Sequence, residues 1–482
     1  MPSLPFQDLA GHAGHFAVRQ RLLQDGWERA FLIDEPHAGP YSVFRAVGQC
    51  ATGIFGAFGA VRALAVLPIW LTPLAALILR QKITGRWEPA YAALGLYLCC
   101  GFLLMLGFAS FMAGAAVCLL AYAAFLQLAE SNQLRRDGLL AALGAVATFF
   151  THGYAFAMLG FLVVLAQTST TRGRNRWAAA AALGPAMLCG LFSQWAVRHV
   201  AGHATVHGAS AGLYFQGPVD KLSLLVTPFL MTRLGIDMAL GIAFWGLLLF
   251  SAVRFRPQAE LLITPHDRHR QRAFHAAVAL SLLFLALPHN AQWFGFVDAR
   301  LLPLTYLMYT LSLPPQWWSS ARRHAATGTS CLQCTILAVG VLLFQQEFKG
   351  FEQIAQHIQP ERSLLHLPVF ADSRYLVAHP FVHEDKLLLL GKPMLLSDMW
   401  LHQGTGLYAT DANPVVRLDP NYASSNVKLP IAWKSFAPND WDYVLLRMRD
   451  TVNTPDVPAY WKSAAHSGTW WLFERDRTVI AP

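Results

Sequence analysis

Apolar stretches long enough to cross a lipid bilayer follow one another through the first three quarters of this chain, and they confine most of it to helices. Inside hydrocarbon no water is available for backbone N–H and C=O groups, so a spanning segment must satisfy them within itself. Windows of about 19 residues place about ten such segments. They fall near residues 62–80, 88–106, 109–130, 138–151, 153–167, 177–199, 236–253, 273–288, 299–317 and 329–346. The pair flanking His152 is short: about 14 helical residues reach only about 21 Å against a hydrocarbon core of about 30 Å. These two read as tilted or half-length helices buried among the others.

Orientation follows from charge. Only 13% of the residues are charged and 55% are apolar, and the net charge of +9 comes from short basic clusters between apolar stretches. The clusters are Arg80 to Arg86, Arg135-Arg136, Arg172 to Arg176, Arg254 to Arg272 and Arg322-Arg323. An even number of spans separates each from the next, so all share one face, the cytoplasmic one. Nucleic-acid binding is excluded as a reading of the positive charge, because no extended basic face or aromatic-interleaved patch accompanies it. The external face then receives residues 1–60, the turn at His152, the loops His199 to Arg233 and His289 to Arg300, and everything after about residue 347. This topology puts Met1 outside with no span before it, which leads to the expectation of a further transmembrane helix encoded upstream; N-tail translocation is the alternative.

After residue 350 hydropathy falls and period-2 apolar runs appear at Leu364 to Ala371, Lys386 to Leu390, Trp441 to Arg447 and Thr469 to Glu474. Such runs, punctuated by Pro, Asn and Gly, predict short strands between helices. The fold class is therefore an α-helical polytopic membrane protein with a C-terminal soluble α/β domain. Its expected divisions are an external amphipathic segment (1–60), a transmembrane domain (61–347) and an external α/β domain (348–482). The seven cysteines offer no disulfide framework, and Cys331 and Cys334 read as small apolar residues of a span. Trp441, Trp470 and Trp471 read as core, with a partner-docking surface as the alternative.

Ionisable residues near a bilayer are costly, so their placement is informative. Asp8, His12, His15 and Arg19 recur at helical spacing within a stripe about 60° wide. A carboxylate among imidazoles outside the membrane suits a general base that deprotonates an acceptor hydroxyl, or one edge of a divalent-metal site. An interfacial helix whose polar face meets water is the competing reading. Asp34-Glu35-Pro36-His37 reads as a solvated turn. Thr151-His152-Gly153 is a polar break in an apolar stretch. His199, His203 and His207 repeat every fourth residue but are interrupted by Gly202 and Gly208, which favours a loop over a metal site. His289 to Arg300 leads into a span, where Arg300 at a helix start suits phosphate; an ion pair of Asp298 or Asp220 with Arg300 is the alternative.

Several of these motifs resemble those of the GT-C superfamily of membrane glycosyltransferases. Gln7-Asp8-Leu-x-x-His12, Pro40-Tyr41-Ser-Val-Phe44, Gly101-Phe102 with Phe111 to Gly114, Thr151-His152-Gly153 and Asp298-x-Arg300-Leu-Leu-Pro303 are similar to multipass bacterial inner-membrane proteins of that architecture. The resemblance implies a polyprenyl-phosphate-linked sugar donor, transfer to a hydroxyl acceptor at the periplasmic face, and a periplasmic C-terminal domain. By the same analogy Asp8 is the base and Arg300 the phosphate anchor, with His12, His15, His152 and His289 as substrate-binding residues and a divalent metal as a conceivable cofactor. The sequence departs from the family pattern in lacking a first span and a second acidic residue beside Asp8. A transporter or flippase of lipid-linked glycans and a non-catalytic accessory subunit are the rival functions; the inverted repeats expected of a transporter are not evident.

Overall fold

A computed structural model of the chain describes residues 5–24, 26–35, 38–168, 173–200, 212–255, 264–291, 294–399, 401, 406–418, 427, 429–436, 438–449 and 455–479. His203, His207, Pro36 and His37 lie outside the described residues, as do Gln292 and Trp293.

The predicted apolar segments are helical, with 88–106 broken at Gly101 and 299–317 α-helical only over Leu302–Leu311. α1 (Leu9–Leu22) precedes α2 (Ser42–Thr84), α3 (Ala90–Cys99), α4 (Phe102–Met105) and α5 (Ala109–Glu130). There follow α6 (Leu134–Thr151), α7 (Gly153–Thr168), α8 (Gly173–Val200), the short α9 (Pro218–Leu224), α10 (Ile236–Arg254), α11 (Pro265–Ala286), α12 (Leu302–Leu311) and α13 (Ser320–Ala355). Among the described residues α2, α5, α8, α10 and α13 are long and apolar enough to cross a membrane. Their outward faces carry Trp70, Leu191, Phe250 and Leu342, each more than half exposed, as side chains do that meet lipid rather than water.

The two ends of the bundle differ. At one end the basic segments are tied into the helix ends. Buried Arg80 pairs with Glu88 at 2.6 Å and donates to the carbonyls of Leu311 and Leu313. Arg268 and Arg272 hold Glu130 at 3.0 and 3.1 Å. Asn175 donates to the carbonyls of Leu128, Ala129 and Ser131, satisfying groups that the end of α5 leaves open. Arg80 and the pair Arg268 and Arg272, from two of the clusters that charge counting put on one face, are thus neutralised at helix ends. The other end gathers α1, the start of α2, the α6–α7 break and the loop before α12.

Two expected boundaries move. α2 begins at Ser42, well before residue 62, and breaks at Gly56, whose φ of 71° and ψ of 165° are non-helical. α13 runs to Ala355, past the boundary expected at residue 348. Beyond it lies a five-stranded sheet of order β5-β4-β7-β9-β8. Its strands are β4 (Arg362–Leu367), β5 (Met394–Leu396), β7 (Tyr443–Arg447), β8 (Trp461–Ser467) and β9 (Trp470–Arg475). β4 runs parallel to β5 and β7, and β9 is antiparallel to β7 and β8. Among the described residues after Ala355 there is no α-helix, only 3₁₀ turns, so this is a β-sheet domain rather than an α/β one. The run Lys386 to Leu390, expected as a strand, is part of a 3₁₀ turn, Glu384–Leu390, that buries the adjacent Leu388 and Leu389, the latter against Gly14 of α1. Trp441 and Trp470 are each 1% exposed and fill the core.

The N-terminal segment is not a separate layer. β1 (Leu32–Asp34) pairs antiparallel with β6 (Leu407–Ala409), joining the chain's beginning to its C-terminal domain. β2 (Leu213–Tyr214) pairs with β3 (Asn290–Ala291) and ties the loop before α9 to the loop before α12.

Candidate functional site

α1 is the organising element. It is buried on nearly all sides, so it is not an interfacial helix with a wet face. On one side it meets α2, where the rings of His12 and Phe44 lie edge-on at 5.0 Å. On another it meets the turn Glu384–Leu390 so closely that a Cβ on Gly14 would stand 2.9 Å from Leu389 Cδ1. Leu9 and Phe16 on this helix are buried, whereas Leu23 just past its end is 74% exposed. Arg19 is paired with Asp34 at 3.1 Å, so the second acidic cluster braces α1 rather than facing solvent.

The stripe on α1 opens onto a cavity of about 410 Å³. Gln7, Asp8, His12, His15 and Arg19 line one wall; Tyr41, Phe44 and Arg45 come from the start of α2. His152, Phe294, Phe296 and Arg300 line it from the other external loops, and His383 from the C-terminal domain. The structure thus brings together Asp8, His12, His15, His152 and Arg300, which are up to 292 positions apart in the chain. Arg300 also edges a second, apolar pocket of about 40 Å³ lined by Leu98, Leu103, Met112, Leu119, Met158 and Leu304 among others.

Asp8 is positioned by its backbone. Its N–H donates to the carbonyl of Leu106 and that of Gln7 to Met105, so the turn after α4 carries the residue. Gly107, with φ of 80°, lets this turn approach: a Cβ there would stand 2.6 Å from the amide nitrogen of Asp8. Burial pushes the Asp8 carboxyl up to about 6, against the pull of His383, Arg300 and Lys386. Burial and then His383 push the His12 imidazole down to about 4, so His12 is neutral at physiological pH. The side-chain oxygen of Gln7 is buried without a hydrogen-bond partner among the described residues.

His152 is 1% exposed and sits in extended backbone between α6 and α7. Its Nδ1 accepts from the amide of Tyr154 at 3.2 Å, which assigns the neutral ring's proton to Nε2. Tyr41 meets its ring edge-on at 4.7 Å and holds a left-handed φ of 72°, a strained conformation for a residue with a side chain.

Arg300 forms no ion pair among the described residues. Its Nε and Nη2 donate to the carbonyl of Gly295, and its guanidinium carbon stands 3.9 Å from the ring centre of Phe108 and 4.2 Å from that of Phe294. The expected pair with Asp298 is not formed. Asp298 instead binds Lys221 at 2.8 Å and His289 at 2.9 Å, and accepts from the amide of Ala299. His289, expected to bind substrate, therefore lies outside the cavity lining and supports the loop that carries Arg300. Among the described residues no group of three His, Cys, Asp or Glu side chains is arranged to hold a metal.

Sequence reading missed His383, Lys386 and Asp398, which approach Asp8 from the C-terminal domain. Their signal was the string His383-Glu384-Asp385-Lys386 set between apolar Phe381-Val382 and Leu387 to Leu390, that is, charges where burial was expected.

A bundle of apolar helices joined to a sheet domain, with a carboxylate at the start of α1 and an arginine ahead of α12 on one cavity, is a fold that solved structures share. The chain is similar in structure to ArnT from Cupriavidus metallidurans in the apo state, at 13% identity and a TM-score of 0.51, covering 98% of this chain and 94% of that one. It is similar too to the arabinofuranosyltransferase AftD from Mycobacteria, at 13% identity and a TM-score of 0.51, with 98% of this chain aligned but 38% of that one. At such identity the likeness speaks for the fold. No family model matches the sequence, and no curated protein does.

Proposed function

We propose that this protein transfers a sugar from a polyprenyl-phosphate donor to a hydroxyl acceptor at the external, periplasmic face of a bacterial inner membrane. The observation that carries the reading is the pairing, in one cavity, of a half-buried carboxylate with a buried arginine that has no carboxylate partner among the described residues. An unneutralised guanidinium in an aromatic cage is an anion site, and phosphate is the anion it holds best. The apolar pocket on the far side of Arg300 suits the first isoprenyl units of the lipid. AftD, one of the two solved structures above, is an arabinofuranosyltransferase, which adds support by analogy.

In this reading Asp8 accepts the proton of the acceptor hydroxyl as its oxygen bonds to the anomeric carbon. The bond from that carbon to the donor's phosphate oxygen breaks, and its electron pair leaves with polyprenyl phosphate, held by Arg300. Neutral His12 and His152 and the unpaired Gln7 oxygen supply hydrogen bonds to sugar hydroxyls. The apolar helix bundle lies across the membrane with its basic end cytoplasmic. Purified protein is to be assayed for turnover of lipid-linked sugars. Asp8→Asn should lower turnover by about 100-fold or more while donor binding persists, as for loss of a general base. Equal turnover of wild type and Asp8→Asn would remove Asp8 from catalysis and favour transport or an accessory role.

A further inference from the structure

Asp8 does not face the cavity with help from the membrane helices alone. His383, between the 3₁₀ turns Pro380–Val382 and Glu384–Leu390, places its Nε2 at 3.7 Å from Asp8 Oδ1. Its Nδ1 is 2.8 Å from Lys386 Nζ and 3.2 Å from Asp398 Oδ2. Behind them Lys386 Nζ lies 3.4 Å from Asp398 and 3.7 Å from Asp385, whose Oδ1 is 3.1 Å from His366 Nδ1. The side chains of His366 and Asp385 are fully buried, and that of Lys386 is 1% exposed. Burying so many ionisable groups in a small sheet domain is costly unless they compensate one another, and apolar residues would fill the same space at less cost. The file ends at Asp8.

The neighbours fix the ring's orientation: Nδ1 of His383 faces a donor, Lys386 Nζ, and an acceptor, Asp398 Oδ2, which turns Nε2 toward Asp8. At 3.7 Å the contact is an electrostatic one, longer than a hydrogen bond. We propose that His383 is a positioning residue for Asp8, delivered by the C-terminal domain, whose Nε2 edge orients the carboxylate as a base and favours its ionised form. The inference rests on the reading of Asp8 as base. It makes the C-terminal domain a component of the site rather than an appendage, since α1 and the turn carrying His383 are packed together and Arg21 donates to the carbonyl of Leu389 at 2.6 Å.

Charged and titratable groups that face Asp8 are His383, Lys386 and Asp398 from the C-terminal domain, Arg300 ahead of α12 and His12 on α1. His15, Arg19, Tyr41, Arg45 and His152 share the cavity wall. Of these groups His383 is the strongest of the opposing influences on Asp8 after burial.

The test uses the full chain in lipid nanodiscs. Protonation of Asp8 is read from its carboxyl C=O stretch by infrared difference against Asp8→Asn, and turnover is followed over the same pH range. In wild type the band should titrate at about 6. His383→Ala should move that midpoint up by roughly 1 unit or more, as expected on losing a close favourable partner. The acid limb of kcat/KM should move with it, with donor KM within about twofold because Arg300 is untouched. His383→Gln, which keeps an N–H donor, should restore the midpoint at least in part. If His383→Ala does not fold, His383→Gln compared with His383→Met decides in the same way. An Asp8 midpoint that stays put in the folded donor-less variant overturns the proposal. A midpoint that moves in a wild-type background without sugar turnover keeps the coupling and removes the transferase reading; turnover with an unmoved midpoint does the reverse.

Discussion

At Asp8 two demands conflict: the site wants an ionised carboxylate, and burial opposes one. Because burial holds the group at about 6, kcat/KM should rise with pH through about 6 and level off above it, measured as a pH profile with lipid-linked donor. The same shift has a stability consequence whose sign is opposite to that of a salt-bridged aspartate. The folded value lies above the ordinary 3.8, so the native state binds the proton more tightly than the unfolded chain does. Ionising Asp8 therefore costs the fold nothing below the ordinary value and its full amount above about 6. Asp8→Asn should raise the thermal midpoint at pH 8, by the equivalent of about 1 to 3 kcal/mol, and change it little at pH 4. A variant that is inactive yet more stable only at alkaline pH marks a functional strain; uniform destabilisation would mark Asp8 as structural. Arg300 invites a different measurement, because its contribution is to binding. Arg300→Ala should raise the donor Kd by roughly 10-fold or more, the worth of a charge-assisted contact, and Arg300→Lys should recover it incompletely because an ammonium lacks the planar fork.

Among the elements, α1 and the turn before α5 decide where that carboxylate stands. The stripe of Asp8, His12, His15 and Arg19 was legible because helical spacing alone aligns it. What covers the stripe was not, since its partners come from residues 152, 300 and 383, and no local pattern records a contact over such separations. His383 was hidden further by a run that alternates like a strand; the chain resolves that alternation as a 3₁₀ turn packed on α1. His289 shows what polar sequence at a span's end leaves open: the type of residue does not record that its ring meets Asp298 in the loop behind Arg300. Gly107 tests the positioning role of the turn directly. Its φ of 80° is left-handed, and an added Cβ would stand 2.6 Å from the Asp8 amide and 3.0 Å from the Asp8 Cβ. Gly107→Ala should lower turnover by about 10-fold or more through displaced geometry, while a thermal melt shows a loss of only about 1 to 2 kcal/mol. Unaltered turnover would mean that the turn does not set the position of Asp8.

Across the whole molecule, polarity is sorted to two ends with an apolar girdle between them. One end holds Arg80 with Glu88 and Arg268 and Arg272 with Glu130; the other holds the cavity and the sheet domain. Periodicity and charge made this division legible, because spans alternate direction and basic loops resist export. The joining of the N-terminal segment to the C-terminal domain through β1 and β6 was not legible, since three-residue strands carry no detectable pattern. That pairing sharpens the topological prediction. If β1 and β6 share a sheet and α1 packs on the turn Glu384–Leu390, the N-terminal segment and the C-terminal domain must lie on the same side of the membrane. Positive-inside counting puts that side opposite to Arg86 and Arg268. Alkaline phosphatase, which is active only after export, should therefore be active in cells when fused after Pro482 and inactive when fused after Arg86, and green fluorescent protein at the same two positions should show the reverse. Activity after Arg86 with none after Pro482 would turn the molecule over in the membrane and put Asp8, Arg300 and the whole cavity on the cytoplasmic side, where the acceptor and the donor headgroup would have to be sought instead.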